Sequence, residues 1–228
     1  MSLILHIDTA TETAQVSFAK NAVVLRSLYN ESQKDHGAFL QPAIQQLMRE
    51  TAMHLKDIDT IAVTAGPGSY TGLRVGMASA KGLCYALEKP LITLNTLEVL
   101  AASALQSLAN KHPGPSVLFC PMIDARRMEV YTALYDRQLK NRLAPTALIL
   151  HQSSFKKQLL KNRIIFFGSG AKKWEAVCKD PNAAFETVTI LPEAMAKLAD
   201  ICFVQQNFAT LAYSEPFYLK DFQDVTNK

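Results

Sequence analysis

The amino-acid sequence predicts an α/β protein of two lobes, each a mixed β-sheet covered by helices. Two observations carry this. Short strand-like segments come first, strands alternating with helices follow, and the same succession starts again near residue 117. Between the two runs, residues 110–116 turn to Asn, Lys, His, Pro, Gly and Ser, the composition of a lobe boundary. The expected lobes are therefore residues 1–109 and 110–228, with the last helix of the chain able to pack back on the first lobe.

The elements follow in order. Leu3, Leu5 and Ile7 alternate in a first strand, Val16 and Phe18 mark a second, and residues 23–28 form a third. Polar breaks fall at Thr9 to Thr13 and at Lys20-Asn21. Asp35 is placed to cap a helix whose apolar residues (Phe39, Leu40, Ala43, Ile44, Leu47, Met48) make one stripe, with a bend expected at Pro42. Residues 59–65 read as a strand running into Gly66-Pro67-Gly68-Ser69-Tyr70-Thr71-Gly72, and a long helix continues to about Leu87. A short buried strand at 91–94 precedes a helix capped by Asn95, with Glu98 where a capping box prefers it. The second run predicts strands at 117–123, 129–135 and 147–150, a helix near 153–160 and a strand at 163–167. That strand ends in Gly168-Ser169-Gly170-Ala171. A final helix starts near Pro192, with Met195, Leu198, Ala199, Cys202 and Phe203 on one face.

Composition narrows the function classes. Hydrophobic residues make up 49% of the chain and charged residues 19%, which supplies a core and places the chain among soluble globular proteins, outside the disordered class. No apolar run is long enough to span a bilayer, and the first strand meets His6 and Asp8 too early for a signal-peptide core, so a cytoplasmic location is expected. A net charge of +4 permits contact with nucleic acid but is weaker than the basic stripe of a stand-alone RNA binder. Cys84, Cys120, Cys178 and Cys202 are too far apart for a metal knuckle or redox pair and read as buried small hydrophobes.

The strongest local signal is the strand, glycine loop and helix from Ile61 to Leu87. Glycines at 66, 68 and 72 allow close approach of a ligand or of another backbone, and the helix start offers free N–H groups to an anion. The pattern is one residue too long for a dinucleotide fingerprint. Gly82 follows Lys81, so there is no P-loop lysine either. A phosphate seat and a tight structural turn both remain open. Within the helix, Gly72, Gly76, Ala80 and Cys84 recur every four residues as a smooth ridge, beside Leu73 and Met77. Such a ridge suits close crossing by a partner helix or packing on the protein's own sheet.

Three further turns are candidates. Asp8-Thr9-Ala10-Thr11-Glu12-Thr13 joins the first two strands, where actin-like and sugar-kinase-like ATPases place an acidic residue and hydroxyls near phosphate. Asp124-Ala125-Arg126-Arg127-Met128-Glu129 holds the corresponding place in the second lobe, and its arginine forks suit a carboxylate or phosphate, if it is more than a solvated turn. Gly168 to Ala171 could border an adenine ring or simply join strand to helix. The five histidines stand 18 or more residues apart, which gives no helical metal pair, and Ser69 does not sit in a nucleophile elbow.

Taken together, Ile7-Asp8-Thr9-Ala10-Thr11, the run Thr64 to Gly76, Asp124 to Tyr131 and Pro216-Phe217-Tyr218-Leu219-Lys220 resemble the TsaB (YeaZ) family, in that order and over nearly the whole chain. The resemblance implies the two-lobed fold of actin, Hsp70 and sugar kinases, and kinship with the catalytic subunit TsaD. It also implies a non-catalytic partner in the synthesis of N6-threonylcarbamoyladenosine (t6A) in transfer RNA, acting with TsaD and the ATPase TsaE. The catalytic relative holds a metal through a close histidine pair and keeps glycine-rich nucleotide turns; this sequence lacks the pair and has Arg126 and Arg127 at the corresponding turn.

On this reading the chain has no catalytic or metal-binding residues of its own. Asp8, Thr9, Thr11, Gly66 and Gly68 are candidates for a vestigial nucleotide site. Arg126 and Arg127 are candidates for contact with an anion. The partner interface is expected at Phe39, Ile44, Leu47, Gly72, Leu73, Gly76, Met77 and Ala80. A homodimer through the same surface is expected when TsaD is absent, transfer RNA is met through the complex, and no membrane is involved. The competing expectations are an ATP-dependent phosphotransferase of the same fold, a metallopeptidase, and a direct transfer RNA binder.

Overall fold

The computed structural model describes residues 1–31, 35–108 and 110–220. Ala109 and residues 221–228, the ends of the two expected lobes, lie outside them. Strands β1 (Leu3–Asp8), β2 (Ala14–Lys20) and β3 (Val23–Asn30) open the chain, followed by α1 (His36–Thr51), β4 (Thr60–Gly66), α2 (Tyr70–Leu87), β5 (Leu91–Asn95) and α3 (Thr96–Leu108). The succession then repeats as β6 (Val117–Asp124), β7 (Glu129–Tyr135), β8 (Asn141–Ile149), α4 (Lys156–Leu159), β9 (Arg163–Phe167), α5 (Ala171–Glu175), β10 (Ala183–Phe185) and α6 (Pro192–Val204).

Each half builds one five-stranded sheet, and the two sheets share a topology. The orders are β3-β2-β1-β4-β5 and, read from the matching edge, β8-β7-β6-β9-β10. In each, the first three strands form an antiparallel meander, and the fourth and fifth join parallel to the first. β1 is central: Ile7 lies opposite Val16 on one side and Val63 on the other. A strand buried on both faces loses the alternation of a half-buried one, and every residue of β1 is buried.

The faces of β1 feed different cores. Leu3, Leu5 and Ile7 pack with α1 and α2 on the outer side, whereas Ile4 joins a central core. That central core holds Leu97, Leu100 and Ala104 of α3 and Met195 and Ala199 of α6, between Ala62 of the first sheet and Phe119 and Ile165 of the second. α6 lies against α3, β1, β3 and β5. A third core, around Trp174, Phe155 and Phe166, covers the outer side of the second sheet. The molecule is thus layered: outer helices, sheet, α3 with α6, sheet, outer helices.

Local signals account for most boundaries. Asn95 Oδ1 accepts the Leu97 N–H at 3.0 Å and starts α3. Pro192 occupies the first turn of α6, where its missing N–H costs nothing. Two elements differ from the sequence expectation. β8 begins at Asn141, not near 147, because it is a sheet edge whose polar half, with Pro145, carries no apolar alternation. β10 has three half-buried residues, too few for a periodic signal. Of the cysteines, Cys84 and Cys120 are buried as expected, with burial pushing both thiols up to about 12, while Cys178 and Cys202 are partly exposed.

The expected partner interface is corrected here. Ile44, Leu47, Leu73, Met77 and Ala80 are buried within the protein itself, and Phe39 is half-buried against the same outer core. The ridge at Gly72 and Gly76 faces inward. A Cβ on Gly72 would collide with the Thr9 carbonyl oxygen, and one on Gly76 with Thr9 Oγ1. The missing side chains let α2 sit directly on the end of β1. The outward faces of the two helices are instead formed by Ala38, Gln41, Pro42 and Gln45 of α1 and by Ala78, Gly82, Tyr85 and Ala86 of α2.

His6 gives the fold a pH dependence. It is buried on the central face of β1, and burial lowers its pKa to about 4, against the opposing effect of the Ser17 carbonyl. The unfolded chain takes up this proton below about 6.5, the folded chain only near 4. Stability from this group is therefore complete above pH 6.5 and is lost on acidification towards pH 4, by about 3 kcal/mol in all. Urea midpoints of wild type and His6→Gln between pH 7 and 4 should converge as the pH falls. Parallel midpoints would remove His6 as the cause.

Candidate functional site

The duplicated topology aims the four candidate turns at one another. The β1–β2 turn and the β4–α2 loop of the first lobe face the β6–β7 turn and the β9–α5 loop of the second across a cleft of about 770 Å³. Its walls include Thr11, Glu12, Gly68, Ser69, Asp124 and Arg126. Tyr70, Arg74, Tyr218 and Lys220 complete it.

The glycine loop is already filled by the chain. Gly66 takes φ +121°, and a Cβ there would stand 2.5 Å from the Phe217 carbonyl oxygen. The Phe217 N–H donates to the Ala65 carbonyl at 2.6 Å, so the C-terminal segment crosses this loop. A Cβ on Gly68 would meet the Ala10 carbonyl oxygen, which accepts the Ser69 N–H at 2.8 Å. Thr9 is fully buried, and its hydroxyl donates to the Gly72 carbonyl at 2.7 Å. The expected nucleotide site is corrected accordingly: Thr9 and Gly66 are used for internal packing, whereas Thr11 and Gly68 line the cleft. Asp8 lines a second, smaller cavity beside it.

Asp8 is itself unusual. Its Oδ1 accepts the Thr64 hydroxyl at 2.6 Å and the Ala10 N–H at 3.0 Å, while Oδ2 is buried with no partner. Burial pushes the carboxyl pKa up, against those two bonds.

In the β6–β7 turn, Arg126 and Arg127 both take left-handed backbone conformations, φ +69° and +49°, which non-glycine residues seldom adopt. Asp124 holds the turn by accepting the Arg126 N–H at 2.6 Å and pairing with Lys173 at 2.7 Å. Both arginine side chains are exposed, and neither forms an ion pair among the described residues. Arg126 lines the cleft; Arg127 does not. Gly168 and Gly170 mirror the first lobe, since a Cβ on Gly168 would stand 2.5 Å from the Met122 carbonyl oxygen. Ser169 of this loop lines the cleft, and Gly168 and Ser169 also line the smaller cavity beside it.

The C-terminal segment is a component that spacing did not assign. Lys81 Nζ donates to the carbonyls of Ala212 and Ser214, at 3.2 and 2.8 Å. The Tyr218 ring lies 5.4 Å from that of Tyr70, and Arg74 bonds the Tyr218 hydroxyl at 3.2 Å while lying over Tyr70. Lys220 then reaches the second lobe, pairing with Glu129 at 2.5 Å. Only the order of residues 216–220 among the other motifs marked it in advance. Among the described residues, no group of three or more His, Cys, Asp or Glu could hold a metal.

Fold and site define a two-lobed protein made of a duplicated βββαβαβα unit, with paired turns facing across an interlobe cleft. The family described as "TsaD: tRNA N6-adenosine threonylcarbamoyltransferase" matches residues 29–224. A TsaB protein of Escherichia coli, "tRNA threonylcarbamoyladenosine biosynthesis protein TsaB", is 30% identical over 96% of this chain and 94% of its own. The Bacillus subtilis protein of the same name is 36% identical over 61% of this chain, a match spanning 57% of that protein. The solved structure of YeaZ from Pseudomonas aeruginosa superposes with a TM-score of 0.76 at 27% identity, covering 96% of this chain and all of that one. The chain belongs to the TsaB (YeaZ) family, and with it to the broader family that TsaD represents.

Proposed function

We propose that this chain serves t6A synthesis as a partner subunit of a TsaD-type catalytic protein, without transferase chemistry of its own. One observation carries the reading. The turns that would cradle a nucleotide are packed against the chain's own backbone in the first lobe, and carry two arginines in the second. A triphosphate laid across them would meet Phe217, Arg126 and the Tyr70–Tyr218 pair. The TsaB relatives share a name that places them in t6A biosynthesis, and the TsaD family match supports kinship with the transferase.

The association surface in this reading is the outward face of α1 and α2, where small residues at 78, 82 and 86 allow a partner helix to approach closely. A TsaE-type ATPase joins the assembly, and transfer RNA is met through the complex. The isolated chain pairs with a second copy through the same face. The proposed setting is cytoplasmic.

Reconstitution tests it. Transfer RNA incubated with the threonylcarbamoyl adenylate and this chain alone should remain unmodified, as read by nucleoside analysis. Addition of TsaD- and TsaE-type proteins should produce t6A, and omission of this chain should abolish it. Modification by the chain alone would overturn the proposal, as would full activity without it. Calorimetry with Mg-ATP separates the phosphotransferase alternative, which requires binding at millimolar nucleotide.

A further inference from the structure

Beside the main cleft lies a cavity of about 200 Å³ that no part of the proposed function uses. Asp8 and Gln15 form its polar end. They are cross-strand partners in the β1–β2 register, so their side chains share the face turned towards the second lobe. Both are almost wholly buried, at 1% and 3% exposure. Asp8 Oδ2 and both amide atoms of Gln15 have no hydrogen-bond partner. Buried polar atoms are seldom left this way, and three of them on two adjacent residues mark a wall where a bound water, ion or ligand supplies the partners.

The remaining walls define that ligand. Glu12 and Glu31 line the cavity, and no Lys, Arg or His does so among the described residues. The Glu12 and Glu31 carboxylates, with no cation beside them in the lining, repel phosphate and favour positive charge, and a cation reaching Asp8 would draw its buried carboxyl into the charged form. Leu100, Ile123, Val188 and Ile190 supply an apolar wall. A bare metal ion would leave both the volume and the apolar wall unused.

We propose that this cavity binds a small aliphatic ammonium compound, a short diamine meeting it best. One ammonium sits between Asp8 Oδ2 and Gln15 Oε1, the methylenes lie on Leu100 and Ile190, and the second ammonium faces Glu12 and Glu31. A cation on Oδ2 offsets the cost of burying this carboxylate, which its other bonds leave exposed to desolvation. The site is separate from the α1–α2 face, so it stands whether or not the partner role does.

Calorimetry and thermal shift at fixed ionic strength, with 1,4-diaminobutane, n-butylamine and butan-1-ol as probes, test it. Saturable binding is expected for the diamine, weaker binding for the monoamine and none for the alcohol. Glu31→Gln lies at an exposed position that leaves the core intact, and should weaken the diamine about two- to five-fold while leaving the monoamine unchanged. Asp8→Asn should weaken both about tenfold or more. No saturable diamine binding by the wild-type chain would overturn the proposal. So would butan-1-ol binding equal to that of the amines, or diamine affinity unaltered in both variants.

Discussion

Gly76→Arg is expected to abolish the folded state. Any side chain at this position starts in collision with Thr9 Oγ1, and its next neighbours are Val63 Cγ2 at 3.5 Å and Ile7 Cγ2 at 3.7 Å. None can retreat, because Thr9 is bonded to Gly72, and Ile7 and Val63 lie in the two central strands of the first sheet. Overpacking by a methyl alone costs about 1–3 kcal/mol. A guanidinium forced into this apolar space adds several more, about the whole stability of a small domain. Circular dichroism and urea titration should find no cooperative transition for Gly76→Arg and an unfolding free energy lowered by about 1–3 kcal/mol for Gly76→Ala. A wild-type midpoint for the arginine variant would mean that α2 does not rest on β1 and β4 as described.

Gly82→Arg should do the opposite, six residues along the same helix. Gly82 is exposed, and an added Cβ meets nothing within 4 Å. Replacing a helix-interior glycine with a good helix former is expected to raise monomer stability, by about 1 kcal/mol at most. On the proposed outward face, however, a long cation next to Ala78 and Ala86 prevents another helix from approaching. The expected result is a slightly higher unfolding midpoint together with loss of the self-associated species on gel filtration and of capture by a TsaD-type protein. Retained capture with raised stability would move the interface elsewhere. The two glycine variants thus separate folding from association within one helix.

The contrast also shows why sequence reading of α2 stopped short. Both sides of this helix carry small residues, Gly72, Gly76, Ala80 and Cys84 on one and Ala78, Gly82 and Ala86 on the other. A helical period identifies a stripe by contrast with its opposite face, and here residue size offers none. The first stripe therefore suits a partner helix and the protein's own sheet equally well in sequence, and it is the one that lies against β1. The Asp8 turn, the glycine loop and the Asp124 turn were each legible as turns. Their purpose was less so, because Gly66 answers to Phe217 and Gly68 to Ala10, contacts made between distant parts of the chain. Gln15 gave no signal at all: its importance lies in being buried opposite Asp8.

By itself the sequence determined most of the elements, β10 and the first half of β8 excepted, the two-fold succession of strands and helices, and the family. Those features are written in local periods of two and 3.6 residues, in caps such as Asn95, and in short motifs. The tertiary structure decided which face of α2 turns outward, that the glycine loop is closed by the C-terminal segment, and that four separate turns share one cleft. Each of these depends on which distant residue arrives at a given surface, and sheet topology fixes that where no local pattern can.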